Sequence, residues 1–290
     1  MEIKFLILTS PMRGKKLITF IIGLSLFLKG ISFSVYAKDT AQYTIAVVPQ
    51  FNSVAIYNFW SPLLEELSLR LGVKFILKSH ANIPRFEEDL IKGRPDLAFM
   101  NPYHAVIAHK AQGYIPLVRD SSKQLKGILV VRKNSPFKNL NDLHGSELVF
   151  PSPNAFGASL YMRALLTKKF GLKFSSRYVQ SHGNVYRNVI LGKANAGGGV
   201  ERTLKKEPEE IHNELRILFT TPGVAPHPLT AHPRVAQEVQ KKILQTILSL
   251  STAPKTKKLL IPTQLIKPVK ADYKRDYEPL EKLDLIGTVK

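Results

Sequence analysis

The chain has 290 residues, is strongly basic, and contains no cysteine. It carries 42 Lys and Arg against 22 Asp and Glu, a formal net charge of +20, and 44% of its residues are hydrophobic. This composition excludes disordered, collagen-like and disulfide-scaffold proteins, and the lack of cysteine excludes zinc ribbons and thiol catalysis. At about 150 residues per domain, the length predicts two domains.

The first 37 residues have the order of a secretory signal peptide. A basic cluster over 13–16 precedes an apolar run over 17–28 and a small-residue ending at Ala37. The alternative is a membrane anchor, but a span needs about 20 apolar residues and a lysine and a glycine interrupt this run. We therefore expect export with cleavage near Ala37, and either Met1 or Met12 as the start.

The remaining chain keeps a large positive charge. It has 37 basic against 21 acidic residues, a net charge of +16. Such a surplus is found in proteins that bind nucleic acid, anionic membranes or small anions. Export argues against nucleic acid, and the basic residues occur in scattered pairs, such as Lys205-Lys206, instead of along one helix face. We interpret these pairs as a solvated surface that steers anions toward the molecule.

Short strands alternate with helical stretches along the chain, which is typical of an open α/β sheet. The patterns predict strands at 43–48, 73–77, 96–100, 116–119, 127–132, 147–150, 177–180 and 216–220. They predict helices at 59–71, 86–93, 103–112, 158–169 and 185–191, a helical turn at 139–143, and a mainly helical segment at 233–250. No structure is predicted after 262.

In two segments between these elements, the backbone could come close to a ligand or to another group. The Pro- and Gly-bearing loop 151–157 leads from a strand into a helix. Such a loop presents free backbone N–H groups and the positive end of the helix dipole, which suit an anion. The glycines at 197–199 allow a backbone to approach another group closely, but we favour the interpretation that they form a tight turn from strand to helix.

Five segments carry a resemblance to a known family. They are GRPDLAFMNPYH at 93–104, GILVV at 127–131, FPSPNAFGAS at 150–159, SHGNVY at 181–186 and AGGGVERT at 196–203. In this order they resemble the phosphate/phosphite/phosphonate-binding family of ABC-transporter periplasmic proteins. The resemblance covers about residues 43–250.

The resemblance implies the type II periplasmic-binding fold. This is an α/β fold of two lobes with mixed open sheets flanked by helices, joined by two crossover strands, with the ligand held in the cleft between them and closure by hinge bending. It implies a signal peptide at 1–37, a first lobe built from 38–127 plus 222–290, and a second lobe at 128–221. It also implies a monomer in the periplasm that binds a small anionic molecule, uses no cofactor and delivers its ligand to an ABC permease.

The family's anion site matches Ala155 to Ser159 at a helix N-terminus, where phosphonate-binding members place hydroxyl residues. Here Ala155, Phe156 and Gly157 replace them, so backbone N–H groups and the Ser159 hydroxyl are the donors that remain. Gly183 stands where an acidic residue often pairs with a ligand amine, which disfavours an aminophosphonate.

The other predicted cleft residues follow strands or lie in the same loops. They are Gln50, Asn52, Ser53, Asn101, Tyr103, His104, Asn154, His182, Asn184, Tyr186, Gly198 and Gly199. Two of them have alternative roles, since Asn101 could cap the helix that follows it and His182 could bond a backbone carbonyl.

Two other classes of protein are alternatives to a solute-binding protein, namely an enzyme and a sensing module. An enzyme has little support, because the chain has no Gly-x-Ser-x-Gly elbow and no histidine pair at metal-binding helical spacing. We therefore predict no catalytic residues and no metal. The sequence predicts a solute-binding protein that captures phosphate, phosphite or a phosphonate-like oxyanion for an ABC importer. The alternative is a ligand-sensing module that feeds a membrane histidine kinase or a similar signalling partner.

Overall fold

The structure, a computed structural model, describes residues 41–283 and residue 285. The predicted signal peptide and the alternative starts lie outside these residues. Within the described part of the chain, every helix is too short or too polar to cross a membrane.

Eleven strands form the framework. In chain order they are β1 (Gln42–Val47), β2 (Lys74–Lys78), β3 (Leu97–Phe99), β4 (Ile115–Asp120), β5 (Gly127–Arg132), β6 (Glu147–Phe150), β7 (Ser175–Tyr178), β8 (Ala196–Val200), β9 (Leu215–Thr220), β10 (Pro228–Ala231) and β11 (Pro268–Lys270).

Helices flank these strands. They are α1 (Ser53–Leu71), α2 (Ile83–Ile91), α3 (Pro102–Gln112), α4 (three successive segments, Phe156–Leu160, Tyr161–Ala164 and Leu165–Lys169), α5 (His182–Ile190), α6 (Glu201–Lys205), α7 (Glu209–Asn213), α8 (Gln237–Leu250), α9 (Pro254–Lys257) and α10 (Tyr273–Asp276), with 3₁₀ turns at Leu140–Leu143 and Glu278–Leu283. The first and last segments of α4 are π-helical.

The strands form two mixed sheets, which confirms the predicted α/β class. One sheet has the order β11-β4-β10-β3-β1-β2, in which β10 runs antiparallel to both of its neighbours. The other has the order β7-β6-β8-β5-β9, in which β6 is parallel to β7 and β8. All strands of the second sheet lie between β4 and β10 in the sequence. The exact lobe boundaries remain a prediction.

The chain crosses between the sheets twice, at 121–126 and at 221–227. The two crossing segments pair with each other, because the N–H of Leu125 donates to the carbonyl of Val224 at 2.9 Å and the reverse bond measures 3.0 Å. The sheets are therefore joined by a short two-stranded connection.

Side-chain caps fix where several helices begin. Asn52, Asn82, Asn101 and Ser181 each accept a backbone N–H bond in the first turn of α1, α2, α3 and α5. Such caps satisfy donors that a helix leaves unpaired at its N-terminus. The same local chemistry places the first residues of α3 and α5 directly after strands.

Packing follows the strand pattern. In β5, Leu129 and Val131 belong to one buried cluster and Ile128 and Val130 to another, because alternate residues of a strand point to opposite faces. A larger cluster surrounds the six-stranded sheet and also includes Phe156 from the first turn of α4. The start of α4, which follows β6 of the five-stranded sheet, is thus packed against the six-stranded sheet.

The interpretation of the glycines at 197–199 as a tight turn is wrong. They lie inside β8, which pairs with β5 and β6 in the centre of the five-stranded sheet. The reason is space, because the side chains of Val185 and Tyr186 lie so close to Gly197 and Gly199 that a Cβ would clash with them.

A candidate ligand cleft between the two sheets

A small cavity lies between the two sheets. Its volume is about 10 Å³, roughly the room that one water molecule needs. Segments from both sheets line it: Val48, Gln50, Ile83, Asn101, Leu125, Ala155, Phe156, Gly157, Ala158, His182, Val200 and His227. The loops that form the cavity follow β1, β3 and β6, where open α/β sheets commonly bind ligands.

The start of α4 supplies backbone donors to this cavity. Ala155 precedes the helix and has no side chain that could cap it. The N–H groups of Phe156, Gly157 and Ala158 have no acceptor within the helix, because the first helical N–H groups lack a preceding turn. All three residues line the cavity. Together with the helix dipole, they make this end of α4 attractive to an anion.

Ser159 does not supply a donor to the cavity. Its side chain is completely buried, and its Oγ accepts a hydrogen bond from Nε of Arg163 at 3.2 Å. Arg163 also donates through Nη2 to the carbonyl of Pro153 at 3.0 Å. The Ser159 hydroxyl thus helps to hold Arg163, which in turn bonds to the loop before α4.

Two uncharged histidines face the start of α4. Burial lowers the pKa of His182 to about 4. Burial, and then the nearby charges of Arg202 and His182, lower the pKa of His227 to about 3. Both rings are therefore neutral at physiological pH, and each can donate one hydrogen bond to an anion. Nδ1 of His182 is buried and has no hydrogen-bond partner in the described structure.

A chain of side-chain amides orients His227. Nε2 of Gln264 donates to Oε1 of Gln50 at 3.0 Å, and Nε2 of Gln50 lies 3.0 Å from Nε2 of His227. Because the amide nitrogen is the donor, Nε2 of His227 accepts and Nδ1 carries the proton. Gln264 adopts a left-handed backbone with φ of 67°, a conformation that costs free energy in a non-glycine residue.

Direct contacts hold the two sheets together on one side of the cavity. The side-chain nitrogen of Asn101 donates to the carbonyl of Asn154 at 3.1 Å, and that of Asn154 donates to both carboxylate oxygens of Glu87, at 2.7 and 2.9 Å. Burial raises the pKa of Glu87, while the bond from Asn154 opposes this effect. Oδ1 of Asn101 also caps α3 by accepting the N–H of His104, which confirms the alternative role predicted for this residue.

The structure brings some of the predicted cleft residues together and places others elsewhere. Gln50, Asn101, Ala155, Phe156, Gly157 and His182 line the cavity. Asn154 bonds to Asn101 behind it. Asn52, Ser53 and Asn184 are exposed, and Tyr103, His104, Ser159, Tyr186, Gly198 and Gly199 are buried in the packing around it.

His227 is the polar cavity residue that sequence reasoning missed. It lies between two prolines, in a stretch where no strand is predicted, and its pairing with Gln50 spans 177 residues of sequence. The only signal available was its position directly before a short apolar run, Pro228–Ala231, which forms β10.

The buried His104 is expected to make the fold acid-sensitive. Burial, and then the charge of His227, lower its pKa to about 3. The unfolded chain binds a proton at this ring below about pH 6.5 and the native state does not, so stability is full above that pH and falls as the pH drops toward 3. Between pH 7 and pH 5, protonation of this residue in the unfolded chain should lower the free energy of unfolding by about 2 kcal/mol.

Urea unfolding at the two pH values checks this expectation. The variant His104→Met should lose about 2 kcal/mol less than the wild type between pH 7 and 5, because no buried ring resists protonation. His144→Met changes an exposed ring and should follow the wild type. Equal acid sensitivity of His104→Met and the wild type would contradict the assignment.

Two mixed α/β sheets, joined by a pair of crossing segments and with a small cavity between them, define a cleft-type ligand-binding protein. Comparison with known protein families identifies one family. The family model for "ABC transporter, phosphonate, periplasmic substrate-binding protein" matches residues 45–277. The chain therefore belongs to the family of periplasmic substrate-binding proteins of phosphonate ABC transporters.

Relatives and solved structures agree with this family. The phosphonates-binding periplasmic protein of Escherichia coli (strain K12) is 23% identical over 219 residues, which are 69% of this chain and 64% of that protein. The chain thus spans just under two thirds of the length of this relative.

Two solved structures share the fold. One is a binding protein component of a phosphonate ABC transporter from Pseudomonas aeruginosa, with 15% identity, coverage of 86% of this chain and 87% of that one, and a TM-score of 0.75. The other is PhnD1 from Prochlorococcus marinus (MIT 9301) in complex with methylphosphonate, with 19% identity, coverage of 86% and 99%, and a TM-score of 0.76. They confirm the predicted type II periplasmic-binding fold.

Proposed function

We propose that the protein is exported through a signal peptide cleaved near Ala37, captures a small phosphorus oxyanion of the phosphonate class in the periplasm, and delivers it as a monomer to an ABC permease. The observation that carries this proposal is the meeting of the start of α4 with His182 and His227 at a cavity between the sheets. Family membership and the methylphosphonate bound to the PhnD1 structure support the ligand class.

Capture requires the two sheets to separate. The closed cavity holds about 10 Å³, which is smaller than any phosphonate. We infer that bending at the paired crossing segments opens the cleft, and that the contact of Asn154 with Glu87 re-forms when it closes. Ligand bonds that exist only in the closed state supply the free energy for closure.

The lining of the cavity supports capture over catalysis. None of the described residues that line it carries a hydroxyl, a thiol or a carboxylate. Its two histidines are uncharged hydrogen-bond donors. The named relatives are transport proteins, which supports a permease as the partner over a membrane sensor. We propose no cofactor and no nucleic-acid partner.

Thermal unfolding of protein purified from the periplasm of an expression host tests the proposal. Methylphosphonate, phosphite, phosphate and sulfate are compared with an uncharged sugar and with arginine. The oxyanion that the cleft accepts should add about 2.7 kcal/mol of stability at a hundred times its dissociation constant. If no oxyanion raises the midpoint of thermal unfolding, and the sugar or arginine does, the proposed ligand class is contradicted.

A further inference from the structure

A second cavity, here named the basic chamber, adjoins the cleft cavity. Its volume is about 290 Å³. Gln50, Leu125, Val200 and His227 line both spaces, so the two are neighbours across a shared wall of four residues. The basic side chains that line the chamber are Lys123, Lys126, Arg202, Lys205 and Lys206.

The chamber has an excess of positive charge. Its five basic residues face two carboxylates, those of Asp120 and Glu201. Asp120 is held by uncharged donors, since it accepts the backbone N–H of Lys267 at 2.6 Å and the hydroxyl of Ser122. Glu201 pairs with Lys205 at 2.5 Å. Four cations therefore remain without a carboxylate partner among the lining residues, namely Lys123, Lys126, Arg202 and Lys206.

Arg202 places a guanidinium in the wall of the chamber, where its charge also acts on His227. Its Nη2 donates to the carbonyl of Pro262 at 2.7 Å, and the group lies 5.7 Å from the centre of the Phe51 ring. Its Nε is buried and has no hydrogen-bond partner in the described structure. Burial lowers the pKa of Arg202 to about 10, so the group is still charged at neutral pH. A buried, charged donor without an acceptor is costly, and an anionic ligand group would satisfy it.

The sizes of the two spaces point to an extended ligand. In this structure the cavity at the start of α4 has room for about one water molecule, while the chamber is about as large as a small organic anion needs. We propose that the basic chamber binds a second anionic group of the ligand, so that the protein is selective for phosphonates that carry a carboxylate on a short alkyl chain. This inference rests on the proposed function.

Calorimetric titration of the periplasmic protein with three matched compounds tests the inference. The compounds are 3-phosphonopropionate, its uncharged amide 3-phosphonopropionamide, and methylphosphonate. Since charge-assisted bonds are about twice as strong as neutral ones, we expect the acid to bind at least about tenfold more tightly than the amide. The double variant Lys126→Gln/Lys206→Gln removes two of the cations without a carboxylate partner. It should lose this preference and bind methylphosphonate as the wild type does.

A second double variant controls for net charge. Lys257→Gln/Lys258→Gln removes the same charge from an exposed segment outside the chamber and should keep the preference for the acid. If methylphosphonate binds but the acid and the amide bind equally, the chamber inference is overturned and the proposed function stands. A preference that persists in Lys126→Gln/Lys206→Gln also overturns it. If no phosphonate binds, the proposed function fails and the inference fails with it.

Discussion

The variant Ala155→Asp is expected to fold but to bind no oxyanion. Ala155 occupies the N-cap position of α4 without a capping side chain, directly beside the cavity. An aspartate there would accept first-turn N–H groups, and this gain of about 1 kcal/mol offsets part of the cost of burying a carboxylate where there is room for about one water molecule. The same carboxylate would occupy the anion position and repel a ligand of like charge. Calorimetry with methylphosphonate and urea unfolding measure the two effects.

Ala155→Asn is the matched control for that experiment. Asparagine has nearly the same shape and caps helices about as well, but it carries no charge. It should also fold, and it should weaken binding less than aspartate does. Equal methylphosphonate affinity in the wild type and in Ala155→Asp would show that the anion does not lie at the start of α4.

Gly198→Ala is expected to destabilise the fold by about 3 kcal/mol and to abolish ligand binding. A Cβ at Gly198 would lie 1.9 Å from the carbonyl oxygen of Ala158 and 2.5 Å from the ring of Phe150. Because a backbone atom cannot swing aside, relief requires the first turn of α4 to move away from β8. Urea unfolding at neutral pH measures the loss of stability, and calorimetry measures binding under conditions in which the variant is still folded.

Gly145→Ala separates this clash from the general cost of replacing a glycine. Gly145 has φ of 75° and nothing within 4 Å of its Cβ position. Alanine there costs about 1–2 kcal/mol through backbone strain alone and lies far from the cleft in the fold. Binding should be retained in Gly145→Ala. A stable, ligand-binding Gly198→Ala would contradict the packing of α4 on β8.

Local sequence signals predicted much of the framework. Strands β5 and β6 have the predicted bounds, and α1 ends at the predicted residue 71, where Gly72 follows in a left-handed conformation. These signals lie within a few residues of the feature that they determine. An alternating or apolar run reports burial directly, and a glycine after an amphipathic stretch reports the helix end.

Features set by distant pairing were predicted less well. Strand β7 lies at Ser175–Tyr178 instead of 177–180, because its register is set by pairing with β6. The Pro-rich segment that contains β10 gave no strand signal, yet β10 lies between β3 and β4 and bonds to both. The start of α4 at Phe156 was also missed, because its first turn is π-helical and no capping side chain marks it.

The composition of the cleft follows from this long-range pairing. Phe156 and Ser159 are three residues apart in one loop and helix start, but only Phe156 lines the cavity, while Ser159 is held beneath it by Arg163. His227 joins the cavity because β10 carries it beside Gln50. Residue type indicated which groups could bind an anion, and the sheet order decided which of them line the cavity.

The most direct test of the central claim is an amide-detected NMR titration of the isotope-labelled periplasmic protein with methylphosphonate. If the anion binds at the start of α4, the backbone N–H signals of Phe156, Gly157 and Ala158 should shift most and should move downfield, because these groups donate to it. Saturable binding that leaves these three signals unchanged, with the largest shifts elsewhere in the protein, would contradict the claim.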